Sequence, residues 1–210
     1  MARTSSPKRL LLPRGYLSPS QIDLWLRDPD RYVRQYMFGG EEVKNARMDF
    51  GSKVALAEEN GEETDDELVN MLVAILPKYP LREHTIRAPF KTKDGVVELL
   101  GKMDKFDDVL VALRDTKTGT AKWTQGRADK HGQLRFYGAV VWLKHKKIPT
   151  IHLDWAETKV EEDGSISLTG KISTFEVKLT LADILEYLAV VARVAREIDA
   201  RYREEMRQLT

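Results

Sequence analysis

The stretch that decides the reading runs from Gly101 to Tyr137. It comprises Gly101-Lys-Met-Asp104, a hairpin-like return at Asp107-Asp108, Arg114-Asp115-Thr116-Lys117-Thr118-Gly119, and a helical run carrying Gln133 and Tyr137. Val96 to Asp104 and Val109 to Thr116 are predicted as successive strands, each rich in apolar residues and bounded by turn-forming ones. Residues two apart on a strand share a face, so Asp115 and Lys117 point one way and Thr116 the other. Asp104 closes the preceding strand, which sets its carboxylate beside that of Asp115. Neighbouring strands lie about 4.8 Å apart, a gap that one divalent cation can bridge. Gln133 and Tyr137, four residues apart, share one helix face.

Hard oxygen donors, with no cysteine in the chain and no clustered histidine, favour Mg²⁺ or Mn²⁺ over Zn²⁺. Such an ion lowers the pKa of a bound water and offsets charge on a phosphorane-like transition state, while Lys117 orients the nucleophile. Two acids and a lysine in this arrangement imply metal-dependent phosphodiester cleavage. Asp-x-Lys alone says little: with each charged type near 6% of a typical chain, about one match arises by chance. Glu157-Thr-Lys159 and Glu176-Val-Lys178 also fit the pattern. Neither has an acid at the end of a preceding paired strand, nor the helix that follows Lys117, so both read as solvent faces of strands.

Upstream, Arg3, Lys8, Arg9 and Arg14 lie among Ser and Pro without an acid. Residues 1–15 read as a flexible basic tail, with contact to a phosphate backbone as the alternative. Residues 16–210 read as one domain. Ser18-Pro-Ser-Gln21 is a capping box with proline at the first helical position. The short helix carries Ile22, Trp25 and Leu26, and Asp28-Pro29 restarts it through Tyr32, Val33, Tyr36 and Met37 to Gly39-Gly40. A third helix follows Asn45, with Phe50, Val54 and Leu56 near its apolar side. Thr64 caps a fourth, whose buried stripe is Leu68, Met71, Leu72 and Ile75.

Arg82 to Phe90 opens the strand region, with a turn at Lys93-Asp94-Gly95. Downstream, a helix from about Ala128 to Lys146 precedes a strand through Ile151, Leu153 and Trp155, a turn at Asp163-Gly164 and a strand ending near Leu179. Thr180-Leu-Ala-Asp183 caps a last amphipathic helix, whose Leu185, Leu188, Val191, Ala195 and Ile198 cover the sheet. Its charged end past Arg201 offers contact to a second copy or a recombination partner protein. The class is α/β: a mixed sheet flanked by helices, with a helical N-terminal region.

Bulk composition constrains function weakly. The 210 residues are 42% hydrophobic and 32% charged, with a formal net charge of +1 that argues neither for nor against nucleic acid. The lack of cysteine excludes disulfides, thiolate zinc sites and Fe–S clusters. No apolar run approaches the ~18 residues of a membrane span, and the N-terminus lacks a signal-peptide core. The expectation is a cytoplasmic protein with no membrane partner.

Taken together, Gly101-x-x-Asp104, Asp115-x-Lys117-Thr-Gly119 and Gln133-x-x-x-Tyr137 resemble the PD-(D/E)xK nuclease superfamily, in the order shared by its RecB-type and phage-type exonucleases. Tyr16-Leu-Ser-Pro-Ser-Gln-Ile22 and Asp28-Pro-Asp-Arg-Tyr32 resemble the N-terminal helix of that branch, so the likeness spans about residues 16–145. It implies a restriction-endonuclease-like core and a Mg²⁺- or Mn²⁺-dependent DNase acting on single- or double-stranded DNA in recombination, repair or phage DNA processing. It also implies that Asp104, Asp115 and the Thr116 carbonyl hold the metal and that Lys117 is catalytic, with Gln133 and Tyr137 supporting the site and the DNA backbone. Two departures stand out. Asp28 replaces the cysteine of Fe–S members, and Ala55 stands where many members have a metal-ligating histidine. Glu58 or Glu59, one turn along, are the candidate replacements; a solvated helix end is the alternative.

Lys117, Lys122, Arg127, Lys130 and His131 surround Trp123 in a Gly/Thr-rich loop beside these residues. Cations for phosphates and an aromatic surface for stacking suit a nucleic-acid strand; a solvated loop with Trp123 packed down is the alternative. Trp25, Trp142 and Trp155 read as core, and His84, His145 and His152 as structural. Two other functional readings stand beside the nuclease: a weakly catalytic or inactive nucleic-acid-binding protein of the same fold, and an unrelated interaction domain.

Overall fold

A computed structural model describes residues 8–41, 46–61 and 63–209. Arg3 of the basic tail and Asn45 before the third helix lie outside the described residues. Five strands form one sheet in sequential order: β1 (Leu81–Lys91), β2 (Val96–Asp107), β3 (Ala112–Gly119), β4 (Thr150–Val160) and β5 (Ile166–Val177). β3 and β4 run parallel and the other neighbours antiparallel, which makes the sheet mixed, as the sequence implies.

A parallel step requires a crossover, and here it is helical. The helices are α1 (Pro19–Arg27), α2 (Pro29–Tyr32), α3 (Ala46–Asn60), α4 (Glu67–Ile75), α5 (Gln125–Asp129), α6 (Gly132–His145) and α7 (Leu181–Gln208). The crossover helix α6 buries Leu134, Phe136, Ala139, Val140 and Val141 completely. A helix so apolar around its circumference belongs between layers, and α7 and the sheet enclose it. α7 starts at a capping box in which Thr180 and Asp183 exchange side-chain and main-chain bonds. α3 and α4 lie over the far end of the sheet with a smaller core of Phe50, Val54, Val69, Leu72 and Leu168. Along β4 the buried side chains alternate between the two cores, Leu153 and Trp155 to one and Ala156 to the other, so both faces are covered.

Several local expectations change. Ser18 makes no side-chain bond to the helix amides; the buried Gln21 instead donates from Nε2 to Ser18 Oγ at 3.3 Å and accepts from Tyr32 Oη at 3.1 Å, which links the helix end to the core. After Tyr32 the chain widens into a π-helical turn, Val33–Met37. Asp66, not Thr64, caps α4, accepting from the Leu68 and Val69 amides. Of the stripe predicted on α4 only Leu72 is buried, together with Val69; Leu68, Met71 and Ile75 face out. Leu185 is likewise exposed, and Ile184 and Tyr187 take its place under the sheet.

The largest correction concerns the tail. From Lys8 onward the chain lies against β2: Leu10 N donates to Val96 O, Val96 N to Lys8 O, Leu17 N to Glu98 O and Leu100 N to Leu17 O. Leu10, Leu12 and Leu17 are buried. The basic residues that suggest solvation, Lys8, Arg9 and Arg14, flank a stretch in which Leu10 and Leu12 pack inward.

Candidate active site

β2 and β3 pair over only three rungs, Lys105↔Arg114, Phe106↔Leu113 and Asp107↔Ala112. The next rung in that register would be Asp104 opposite Asp115, and there the strands part. The two carboxylates therefore face each other where the ladder ends, at the base of a fork whose far side on β2 is taken by residues 8–17. Asp104 Oδ2 accepts the Thr116 amide at 3.2 Å, a donor that a continuous ladder would have used elsewhere.

Asp115 is completely buried, and its Oδ1 has no hydrogen-bond partner. Its compensation is the Lys117 ammonium, 2.8 Å from Oδ2. Burial drives the Asp115 carboxyl up, and Lys117 only partly offsets this. Asp104 is pushed up to about 7, by burial first and by the neighbouring Asp115 second. Burial alone would depress Lys117, but Asp115 and Asp104 outweigh it and hold the ammonium above the ordinary lysine range. Two buried carboxylates with unfilled lone pairs and too little positive charge are a donor set suited to a hard dication.

Glu58 and Glu59 separate clearly. Glu58, on α3, is buried; its Oε1 accepts from Lys105 Nζ at 2.7 Å and from Thr116 Oγ1 at 3.2 Å. It thus contacts the residue that holds Asp104, one turn beyond the exposed Ala55. Glu59 is exposed, and its main-chain carbonyl accepts from Arg82 at 3.0 Å. Glu58 is bound by Lys105, and among the described residues no three acidic or histidine side chains gather into a ready-made cation cage.

Gln133 and Tyr137 act together from α6. Gln133 Nε2 donates to Tyr137 Oη at 2.7 Å, and Tyr137 Oη donates to Lys102 O at 2.5 Å, two residues before Asp104. Burial and Asp115 raise the phenol, which stays protonated. Gly101 is what admits this contact: a Cβ there would lie 3.3 Å from the Tyr137 ring and 3.4 Å from Met103 Cε.

The loop after Lys117 does not offer an aromatic platform. Trp123 is buried, its face covered by Arg127 at 4.2 Å and its ring edge-on to His131 at 5.0 Å. Arg127 also bonds the Ala121 and Lys122 carbonyls, so it orders the loop. His131 is pushed down to about 4, by burial and then by Lys117 and Arg127, so it is neutral at pH 7. Lys122 and Lys130 are exposed, which leaves them as the loop's solvated cations. Of the other Glu-x-Lys matches, Glu157 joins Thr169 and Lys171, and Lys159 joins Glu161.

The fold is that of two proteins named as exonucleases. A candidate exonuclease from Eubacterium rectale shares it with a TM-score of 0.56 and 14% identity, over 88% of this chain and 83% of that one. A phage-related exonuclease from Haemophilus somnus 129PT shares it with a TM-score of 0.53 and 13% identity, over 90% of this chain and 83% of its own. No family model and no curated protein matches the sequence. At such identities the likeness is one of architecture alone.

Two site features escaped the sequence. Glu83 falls in β1 opposite Asp104, where the β1–β2 register skips a rung between Arg82↔Lys105 and His84↔Met103. Its backbone is left-handed, φ 47°, and its carboxylate pairs with Lys102. A non-glycine residue held there is strained, and such strain concentrates at functional sites. The buried Arg114–Asp154 pair, 2.7 Å apart, braces β3 against β4 directly behind the fork. Neither carries a local signal, because both depend on which strands become neighbours.

Proposed function

We propose that this protein is a divalent-metal-dependent DNA nuclease of the PD-(D/E)xK type, an exonuclease serving recombination, repair or phage DNA processing. One observation carries the reading: the β2–β3 ladder stops where Asp104 and Asp115 face each other, with Lys117 2.8 Å from Asp115 Oδ2 and the buried Asp115 Oδ1 without a partner. Asp104, Asp115 and the Thr116 carbonyl would hold Mg²⁺ or Mn²⁺, with Glu58 close behind. The ion would supply a water of lowered pKa and neutralise phosphate charge.

The remaining work falls to the chain. Lys117, kept protonated by the two acids, positions the attacking water and faces the charge that grows on the phosphate oxygens. Hydrolysis joins the water oxygen to phosphorus and breaks the opposite ester bond, so the attacking and leaving oxygens must lie in line. Tyr137 and Gln133 fix β2 near Asp104 and keep that geometry. Two solved structures of the same architecture, both named as exonucleases, support the choice of chemistry.

Labelled single- and double-stranded DNA incubated with Mn²⁺ tests this. The wild-type chain should cleave, and Asp115→Ala and Lys117→Ala should abolish cleavage while circular dichroism stays unchanged. A second reading, a DNA-binding protein with little catalysis, is favoured by the engagement of Glu58 with Lys105, which ties up the acid nearest the fork on α3. DNA retention in a gel shift without any cleavage across Mg²⁺ and Mn²⁺ concentrations would select it.

A further inference from the structure

A third acid lies buried close behind the fork, and it has its own cation. Glu58 meets Lys105 Nζ at 2.7 Å, and the two side chains are only 7% and 8% exposed. Lys105 follows Asp104 directly on β2. Thr116 joins the pair to the fork: its hydroxyl donates to Glu58 Oε1 at 3.2 Å and its amide to Asp104 Oδ2 at 3.2 Å. The charges act across the same short distance. Burial raises the Glu58 carboxyl, Lys105 draws it down, and Asp104 pushes it up again. A buried ion pair is costly to desolvate and adds little stability over apolar side chains of the same size, so stability alone does not account for one here.

Charge balance supplies a role. With a cation present and every acid ionised, Asp104, Asp115 and Glu58 face Lys117 and Lys105, three acids against two ammonium groups, which leaves one net negative charge. The adjoining pairs Arg114–Asp154 and Glu83–Lys102 are neutral within themselves. One dication more than cancels the remaining charge, and a second would enter a buried site already positive, where salt and water screen repulsion poorly. Glu58 is the acid that a second ion would need, and Lys105 already sits on it. We propose that Lys105 serves as a resident substitute for a second metal ion, so that the fork takes one divalent cation. Lys105 is then a positioning residue that acts through Glu58 and sets the number of ions. The inference rests on the reading of the fork as a metal site and adds how many ions it holds.

Mn²⁺ bound per chain, counted without DNA by calorimetry and by EPR of the free ion at mildly alkaline pH, tests this independently of cleavage. The wild-type chain should bind one ion and Lys105→Met two, the second through the released Glu58. Glu58→Gln leaves Lys105 uncompensated beside the fork and should weaken the single ion about tenfold. Adding Lys105→Met to Glu58→Gln removes a neutral pair, so the double variant should bind one ion with wild-type affinity. It also leaves no unpaired buried charge and should fold. If Lys105→Met alone does not fold, the comparison of Glu58→Gln with the double variant decides. Two ions on the wild type, one on a folded Lys105→Met, or a Glu58→Gln as tight as wild type overturns the proposal. So does a double variant as weak as Glu58→Gln, which would make Glu58 a ligand of the first ion. All these failures leave the metal site standing. A wild-type chain that binds no Mn²⁺, or one whose single ion survives Asp115→Ala, overturns the metal reading and this inference with it.

Discussion

Asp104 and Asp115 share a fork, but their surroundings differ. Asp115 has a lysine 2.8 Å away and no other partner; Asp104 has a main-chain amide at 3.2 Å. Burial and the neighbouring Asp115 outweigh what Lys117 and the Thr116 amide supply, and Asp104 reaches neutral pH half protonated. A carboxyl that holds its proton up to about 7 when folded, and only to about 4 when unfolded, makes the folded state the better proton binder between those values. Without a cation, stability is therefore highest at the acid end of that window and falls as pH rises through it, by as much as about 4 kcal/mol. Asp104→Asn removes the cost. Urea unfolding in EDTA should show wild-type stability declining from pH 4.5 to 7.5, a flatter profile for Asp104→Asn, and a higher melting temperature for the variant at pH 8. A variant less stable than wild type at pH 8 would contradict this. The same proton competes with a cation, so Mn²⁺ affinity measured by calorimetry should weaken below pH 7.

At the scale of elements, the motif Gly-x-x-Asp is a packing requirement. Gly101 lets the Tyr137 ring rest on β2, and the phenol then bonds the Lys102 carbonyl. Gly101→Ala needs the ring or Met103 to retreat by a few tenths of an ångström, at a cost of about 1–3 kcal/mol. Tyr137→Phe keeps the packing and loses the hydroxyl, about 1 kcal/mol. Both should lower the melting temperature, Gly101→Ala the more, and both should reduce DNA cleavage because β2 carries Asp104; cleavage at wild-type rates in both would detach α6 from the site. Motif spacing made this much legible, since Asp115 to Lys117 and Gln133 to Tyr137 are set by strand and helix periods. Elements of strong period were legible too: β1, β2, β4, α6 and α7 fall within a few residues of their expected spans. The stripe on α4 misled because periodicity reports that a face is apolar and not what lies against it. Trp123 misled in the other direction, since loop composition does not reveal that Arg127 and His131 fold over the ring.

Over the whole molecule, the fork exists because β2 changes partners along its length. From Lys105 to Asp107 its free edge is met by β3, and from Val96 to Leu100 by residues 8–17, leaving Gly101 to Asp104 between two neighbours. That exchange joins segments more than eighty residues apart, which no local pattern encodes, so in sequence the basic N-terminal stretch reads as a tail. Leu10, Leu12 and Leu17 fill the core beside β2, while Leu11 N donates to Asp199 Oδ1 on α7 at 2.6 Å. The segment therefore ties the fork to the helix that covers the opposite end of the chain. Burying one leucine is worth about 1.5–3 kcal/mol, and excising Lys8 to Leu17 removes three of them and bares the β2 edge. A chain lacking residues 1–17 should unfold at a temperature at least ten degrees lower, or aggregate. Leu10→Ala with Leu12→Ala should show the intermediate loss, about 2–5 kcal/mol for each site that cannot collapse. If instead the truncated chain melts like wild type, the partner exchange on β2 is not what holds the strands apart, and Asp104 would be free to rejoin the ladder opposite Asp115.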